Sequence, residues 1–117
     1  ETFHVDSAKS TLNWAKRNME ECKLLNIKWV HEDALKFAAR EVKRENKYKG
    51  IIMDPPAWGI GASGEKWKLE DNIAEMIEGG LQLLDTNQHL LILNAYYKFY
   101  RKKYQSLHLG NNPQAHF

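Results

Sequence analysis

The sequence predicts an α/β fold: a Rossmann-like, mostly parallel sheet with helices on both faces. Three observations carry this. Short β runs alternate with amphipathic helical stretches along the chain. Two of the β runs, Ile51-Ile52-Met53 and Leu90-Leu91-Ile92-Leu93, are wholly apolar, as strands buried on both faces are. The β runs stop at acidic or amide residues, and ligands of parallel sheets bind beyond the carboxyl ends of the strands.

Thr2 to Val5 forms a strand that ends at Asp6, and Ser7 is placed to cap the helix after it. Ala8, Leu12, Ala15, Met19 and Cys22 recur at helical spacing and draw one apolar face. Ile27 to Val30 is the next strand, closed by His31-Glu32-Asp33. A helix follows from Ala34 to Glu45, with Leu35, Ala38, Ala39 and Val42 facing inward. After Ile51-Ile52-Met53, the sequence Asp54-Pro55-Pro56 ends the strand, because proline has no N–H for the ladder. A glycine-rich loop then runs to Lys68. The third helix covers Glu70 to Leu84, with Ile73, Ile77, Leu81 and Leu84 inward, and the last strand ends at Asn94. The domain predicted is 1–96. Residues 97–117 form a basic, aromatic tail that includes Tyr97, Phe99, Tyr100, Arg101, Lys102, Lys103 and Tyr104.

Composition narrows the function classes. Of the 117 residues, 43% are hydrophobic and 27% charged, the balance of a folded water-soluble domain. No apolar run approaches the ~20 residues of a membrane helix, so no membrane partner is expected. The net charge of +2 is too small to define a polyanion partner by itself. Cys22 is the single cysteine, which excludes an internal disulfide and fits a reducing, cytoplasmic setting. It reads as a small core or boundary residue. The histidines, at 4, 31, 89, 108 and 116, show no metal-ligand spacing, so no metal site is expected. Ser63 lacks the strand–turn–helix setting of a nucleophile.

The functional signal is Asp6, Asp33 and Asp54 at three successive strand ends. One carboxylate can accept both hydroxyls of a ribose, and another the amino group of an adenine. Each also has a plain structural use. Asp6 and Asp33 can cap the helices that follow them, and Asp54 can be a turn residue. Gly59-Ile60-Gly61-Ala62-Ser63-Gly64 spells G-x-G-x-x-G, but two prolines precede it and no helix starts directly after it. A dinucleotide fingerprint joins strand to helix, so these glycines read instead as a flap or flexible loop.

The ordered segments resemble a known family. They are His4-Val5-Asp6-Ser7-Ala8-Lys9, Glu32-Asp33-Ala34, Ile51-Ile52-Met53-Asp54-Pro55-Pro56-Ala57-Trp58-Gly59, Gly64-Glu65 with Trp67-Lys68-Leu69, and Leu93-Asn94-Ala95-Tyr96. Together they resemble class I S-adenosylmethionine-dependent methyltransferases, in particular the bacterial large-subunit (23S) ribosomal-RNA group. The likeness extends over residues 3 to 96. It implies S-adenosylmethionine as cofactor, with Asp6 and Ser7 at its ribose and Asp33 and Ala34 at its adenine. It also implies Asp54, Pro55 and Pro56 beside the transferred methyl, and ribosomal RNA as partner. Trp58 is placed either to stack on a splayed substrate base or, equally, to pack on the domain as a loop aromatic. The family's first strand and glycine-rich loop do not precede Glu1, so the chain reads as a fragment of the catalytic domain: the expected sheet has a gap between the strands ending at Asp6 and Asp54, the longer protein is expected to be active and the isolated piece inactive. Carbon-5 methylation of a pyrimidine needs a cysteine nucleophile, and Cys22 lies in a helix away from the strand ends; this favours a nitrogen target. The competing reading is a non-catalytic RNA-binding module or an enzyme remnant, using the basic, aromatic tail.

Overall fold

A computed structural model of the chain describes residues 1–61 and 63–96. The tail at 97–117 lies outside the described residues, and with it the reading of that tail as an RNA contact. The elements are β1 (Thr2–Asp6), α1 (Lys9–Glu21), β2 (Ile27–His31), α2 (Ala34–Lys43), β3 (Gly50–Met53), β4 (Trp58–Ile60), β5 (Lys66–Lys68), α3 (Leu69–Leu83) and β6 (Leu90–Leu93).

The strands form two parallel pairs and a hairpin. β1 pairs with β2, with Asp6 opposite His31; β3 pairs with β6, with Met53 opposite Leu93. β4 and β5 pair antiparallel. Each parallel pair leaves one edge of β1 and one edge of β3 unpaired. Both strands border a common cleft of about 1370 Å³, and neither β2 nor β6 does. The expected gap between the strands ending at Asp6 and Asp54 is therefore where this cleft opens.

Local chemistry sets the helix ends. Asp33 caps α2, its Oδ1 accepting from the Lys36 amide at 3.0 Å. α1 begins one residue later than expected, after Ala8, and no side chain caps it. Ser7 lies one residue before the cap position, and the Asp6 carboxylate instead accepts the Ala8 N–H at 2.7 Å. Both α1 and α2 close on a left-handed residue, Lys23 (φ 53°) and Glu45 (φ 57°). The Lys23 and Leu24 amides return to Glu20 and Met19, and those of Glu45 and Asn46 to Val42 and Glu41. These paired bonds satisfy the last carbonyls of each helix, which offsets the left-handed backbone.

The core gathers Phe37, Met53, Leu69, Ile73, Leu83 and Leu84 between α2, α3 and β3, and Leu12 seats α1. Two glycines let α3 approach its neighbours. A Cβ at Gly79 would touch Ala38 of α2 at 3.5 Å, and one at Gly80 would meet Met53 Cε at 2.1 Å. Phe3 joins β1 to this core through Phe37 and, edge-on at 5.8 Å, Tyr48. Aromatic pairs of this kind contribute about 1 kcal/mol beyond their buried area.

Several expectations about burial are corrected. β3 and β6 are not covered on both faces: Ile52 is 76% exposed, and Leu90 and Ile92 are exposed beside it. Alternation sends Met53 and Leu91 toward Gly80 of α3, and no described element covers the opposite face. Leu81 and Ala39 also face solvent, and Cys22 is exposed at the end of α1. The residues of α2 that are fully buried are Phe37 and Glu41. Glu41 was not expected there. Tyr48 Oη and Asn46 Nδ2 each donate to it at 2.6 Å, and Arg44 Nη1 at 3.2 Å. Finally, the stretch read as a loop to Lys68 contains the β4–β5 hairpin.

Candidate functional site

The cleft is built from the strand ends. Asp6 is the last residue of β1, Asp33 caps α2, and Asp54 follows β3; all three line the same cavity. Ser7, Ala34, Pro55 and Pro56 line it as well. The sequence therefore brings together all of its candidate residues for cofactor and catalysis. Trp58 is the exception: it is 61% exposed and does not line the cleft.

The structural and functional readings of the aspartates coexist. Each uses one oxygen to hold its own loop. Asp6 Oδ1 takes the Ala8 N–H, Asp33 Oδ1 the Lys36 N–H, and Asp54 Oδ1 accepts from Asn94 Nδ2 at 3.0 Å. Among the described residues, the second oxygen of each has no hydrogen-bond donor in the protein. Three oriented carboxylates with a free acceptor each are suited to a ligand rich in hydroxyl and amino donors. His31 ties the first two ends together, its Nε2 donating to the Ser7 carbonyl at 3.0 Å. Asn94, at the end of β6, aims Asp54. This is a consequence of β3 and β6 pairing in register, which places Asn94 just beyond Leu93 and Met53.

The hairpin forms the outer wall. Trp67 points inward and its Nε1 donates to the Pro56 carbonyl at 2.7 Å. This fixes the two-proline turn at Pro56, while Asn94 holds it at Asp54. At the tip, Gly64 has φ 83°, a conformation that glycine adopts without steric cost. Glu65 latches the tip to α2 through an ion pair with Lys36, and also accepts the Ser63 N–H at 3.0 Å. The Lys36 ammonium, then the main-chain N–H groups of Glu65 and Ser63, hold the Glu65 carboxyl down to about 2. The same pairing raises the Lys36 ammonium. The glycine stretch is thus a strapped hairpin over the cleft, with Gly59, Ile60 and Gly61 on its lining.

Lys36, Glu65 and Trp67 were not read as site residues from the sequence. The available signals were weak: Lys36 lies three residues past Asp33, and Glu65 adjoins the last glycine of the loop. Trp67→Phe keeps the ring and removes the donor to Pro56. It is expected to lower stability by about 1 kcal/mol, read as a shift in the urea midpoint.

Among the described residues no group of three or more His, Cys, Asp or Glu side chains is arranged to hold a metal ion. No helix among them is long and apolar enough to cross a membrane.

Comparison with known proteins agrees with this geometry. No protein-family model matches the chain. The chain is 30% identical over 98 residues to the ribosomal RNA large subunit methyltransferase K/L of Shewanella frigidimarina (strain NCIMB 400). That match takes in 81% of this chain and 14% of the relative, so the chain spans about a seventh of that protein's length. The crystal structure of an S-adenosylmethionine-dependent methyltransferase from Agrobacterium tumefaciens superposes with a TM-score of 0.77 at 35% identity, over 86% of this chain and 34% of that one. SMU.776, described as a methyltransferase and solved with S-adenosylhomocysteine, superposes at 0.67 with 25% identity, over 80% of this chain and 25% of that one. The described part of this chain therefore shares the Rossmann-like α/β core of part of these S-adenosylmethionine-dependent methyltransferases, to which it is also similar in sequence.

Proposed function

We propose that the protein transfers a methyl group from S-adenosylmethionine to a base of ribosomal RNA. The observation that carries this is the convergence of Asp6, Asp33 and Asp54 on one cleft, each with an acceptor oxygen to spare. The donor set fits the cofactor. Asp6, beside Ser7, is suited to the ribose hydroxyls, and Asp33 to the adenine amino group beside the Ala34 main chain. The likeness to methyltransferases, one of them solved with S-adenosylhomocysteine, supports the same choice. The likeness to a ribosomal-RNA methyltransferase supports the substrate.

When bound, the cofactor supplies an electrophilic methyl group. The task left to the protein is positioning, which can account for most of the acceleration of an in-line displacement. Asp54 would accept a hydrogen bond from an amino group of the base through Oδ2 and so point the nitrogen lone pair into the cleft. Asn94 holds the other oxygen, and Pro55 and Pro56 with Trp67 stiffen the turn. A nitrogen target suits the described residues. Methylation of carbon-5 of a pyrimidine would need a thiolate, and Cys22 is exposed at the far end of α1, off the cleft lining.

Titration calorimetry with S-adenosylmethionine tests the reading. Asp6→Ala is expected to weaken binding about tenfold or more, the effect of a lost charge-assisted pair of hydrogen bonds. Equal affinity for the two proteins would remove Asp6 from the site. The competing reading, RNA binding without catalysis, predicts that RNA is held but no labelled methyl group is transferred to it.

A further inference from the structure

The face of the hairpin opposite Trp67 is largely exposed, and only Ile60 and Lys66 of it border the cleft. In the β4–β5 register, Trp58 stands opposite Lys68 and Ile60 opposite Lys66. Alternation along both strands puts these four side chains on one face and Trp67 on the other. Trp67 faces the turn at Pro56, so the four face solvent. Trp58 is 61% and Ile60 63% exposed, and both lysines are exposed. Among the described residues neither Lys66 nor Lys68 takes part in an ion pair.

A flat aromatic and a branched aliphatic side chain, left in water between two unneutralised ammonium groups, form a stacking surface with a positive border. An apolar peptide would use the first pair and leave both charges unanswered. A single-stranded nucleic acid answers both, with a base on the indole and neighbouring phosphates on the lysines. The stems of Lys66 and Lys68 stand about 6.7 Å apart along β5, a span that consecutive phosphates of a flexible strand can meet. The face is also held in place before any ligand arrives. Trp67 pins the hairpin to Pro56, and Glu65 straps its tip to Lys36.

We propose that Trp58, Ile60, Lys66 and Lys68 form a binding platform for an unpaired RNA segment. Ile60 and Lys66 also border the cleft, and Trp58 lies four residues beyond Asp54. A strand stacked on the platform therefore passes the cleft mouth and presents its next base to Asp54. That last step rests on the methyl-transfer reading; the RNA contact does not.

The test is fluorescence anisotropy with a labelled oligouridine, titrated at several salt concentrations, with calorimetry for S-adenosylmethionine run in parallel. Trp58→Ala is expected to weaken RNA binding about tenfold, and Trp58→Phe to restore most of it. Lys66→Gln with Lys68→Gln is expected to lower the salt slope by about 1.4, the value for two phosphates on a single strand. Circular dichroism of each variant establishes that it is folded. Equal RNA affinity for the parent and the folded Trp58→Ala protein overturns the platform, as does equal binding of a duplex of the same length. Cofactor binding separates the two proposals. Loss of RNA binding in the variants, with no cofactor bound by a protein that carries this core together with the glycine-rich loop, supports the platform and sinks the methyl-transfer reading. Intact cofactor binding with RNA affinity insensitive to Trp58 does the reverse.

Discussion

In a protein that carries this core together with the family's glycine-rich loop, Asp54→Ala is expected to lower methyl transfer about 100-fold at saturating cofactor while leaving the protein folded. The side chain is exposed at the cleft and its only protein donor among the described residues is Asn94, so little packing is lost. What is lost is the acceptor that orients the attacking nitrogen, and misplacement by about 1 Å is worth a factor of that size. Asn94→Ala is a gentler version of the same change, because it frees Asp54 to rotate without deleting it. Incorporation of a labelled methyl group into ribosomal RNA measures both. A rate within twofold of the parent for Asp54→Ala would remove the residue from the reaction.

Glu41→Ala is expected to be the most destabilising polar change in α2, by about 2 kcal/mol. Glu41 is 3% exposed and gathers Tyr48, Asn46 and Arg44 around one carboxylate. Removing it leaves the half-buried Tyr48 hydroxyl without its acceptor and opens a void in the core, while the exposed Asn46 and Arg44 turn to water. It also unties Tyr48, whose main chain bonds Leu83 and Asp85 and so anchors the entry to β3. The melting temperature should fall by about 10 °C. A pH signature accompanies this. The Tyr48 hydroxyl first, then the Asn46 amide, hold the Glu41 carboxyl below its ordinary value of 4.5. A lowered folded value means that the stabilisation is fully present above the unfolded value and is lost as pH falls through the folded one. Burial and the bond to Glu41 raise the Tyr48 hydroxyl, so the tyrosine stays a donor at neutral pH. Thermal melts between pH 3 and 7 should show acid destabilisation in the parent and a flatter profile in Glu41→Gln. Parallel profiles would mean that Glu41 does not carry this part of the pH dependence.

Much of the cleft could be read from the chain before folding was considered. A strand must end where proline withdraws its N–H, so Asp54-Pro55-Pro56 marked a strand end, and Asp33 before Ala34 marked a helix start. These are local effects of one or two residues. The parallel alternation then required that Asp6, Asp33 and Asp54 share one edge, because every β–α–β connection returns the chain in the same direction.

Tertiary structure decided what depends on partners distant in sequence. Period and hydrophobicity mark Ile52, Leu90 and Ile92 as apolar, but whether a strand face is covered depends on which helix packs there, and α3 packs on the other side. Glu41 carries a charge that composition places on the surface; only the arrival of Tyr48 and Asn46 makes its burial stable. The hairpin hid in a glycine-rich stretch because three-residue strands have too few alternations to register as a pattern. Its fixed position comes from Trp67 reaching Pro56 and Glu65 reaching Lys36, bonds spanning 11 and 29 residues. Short-range sterics and hydrogen bonding act on adjacent residues and can be read along the chain, whereas burial and long-range pairing exist only once separate segments have met.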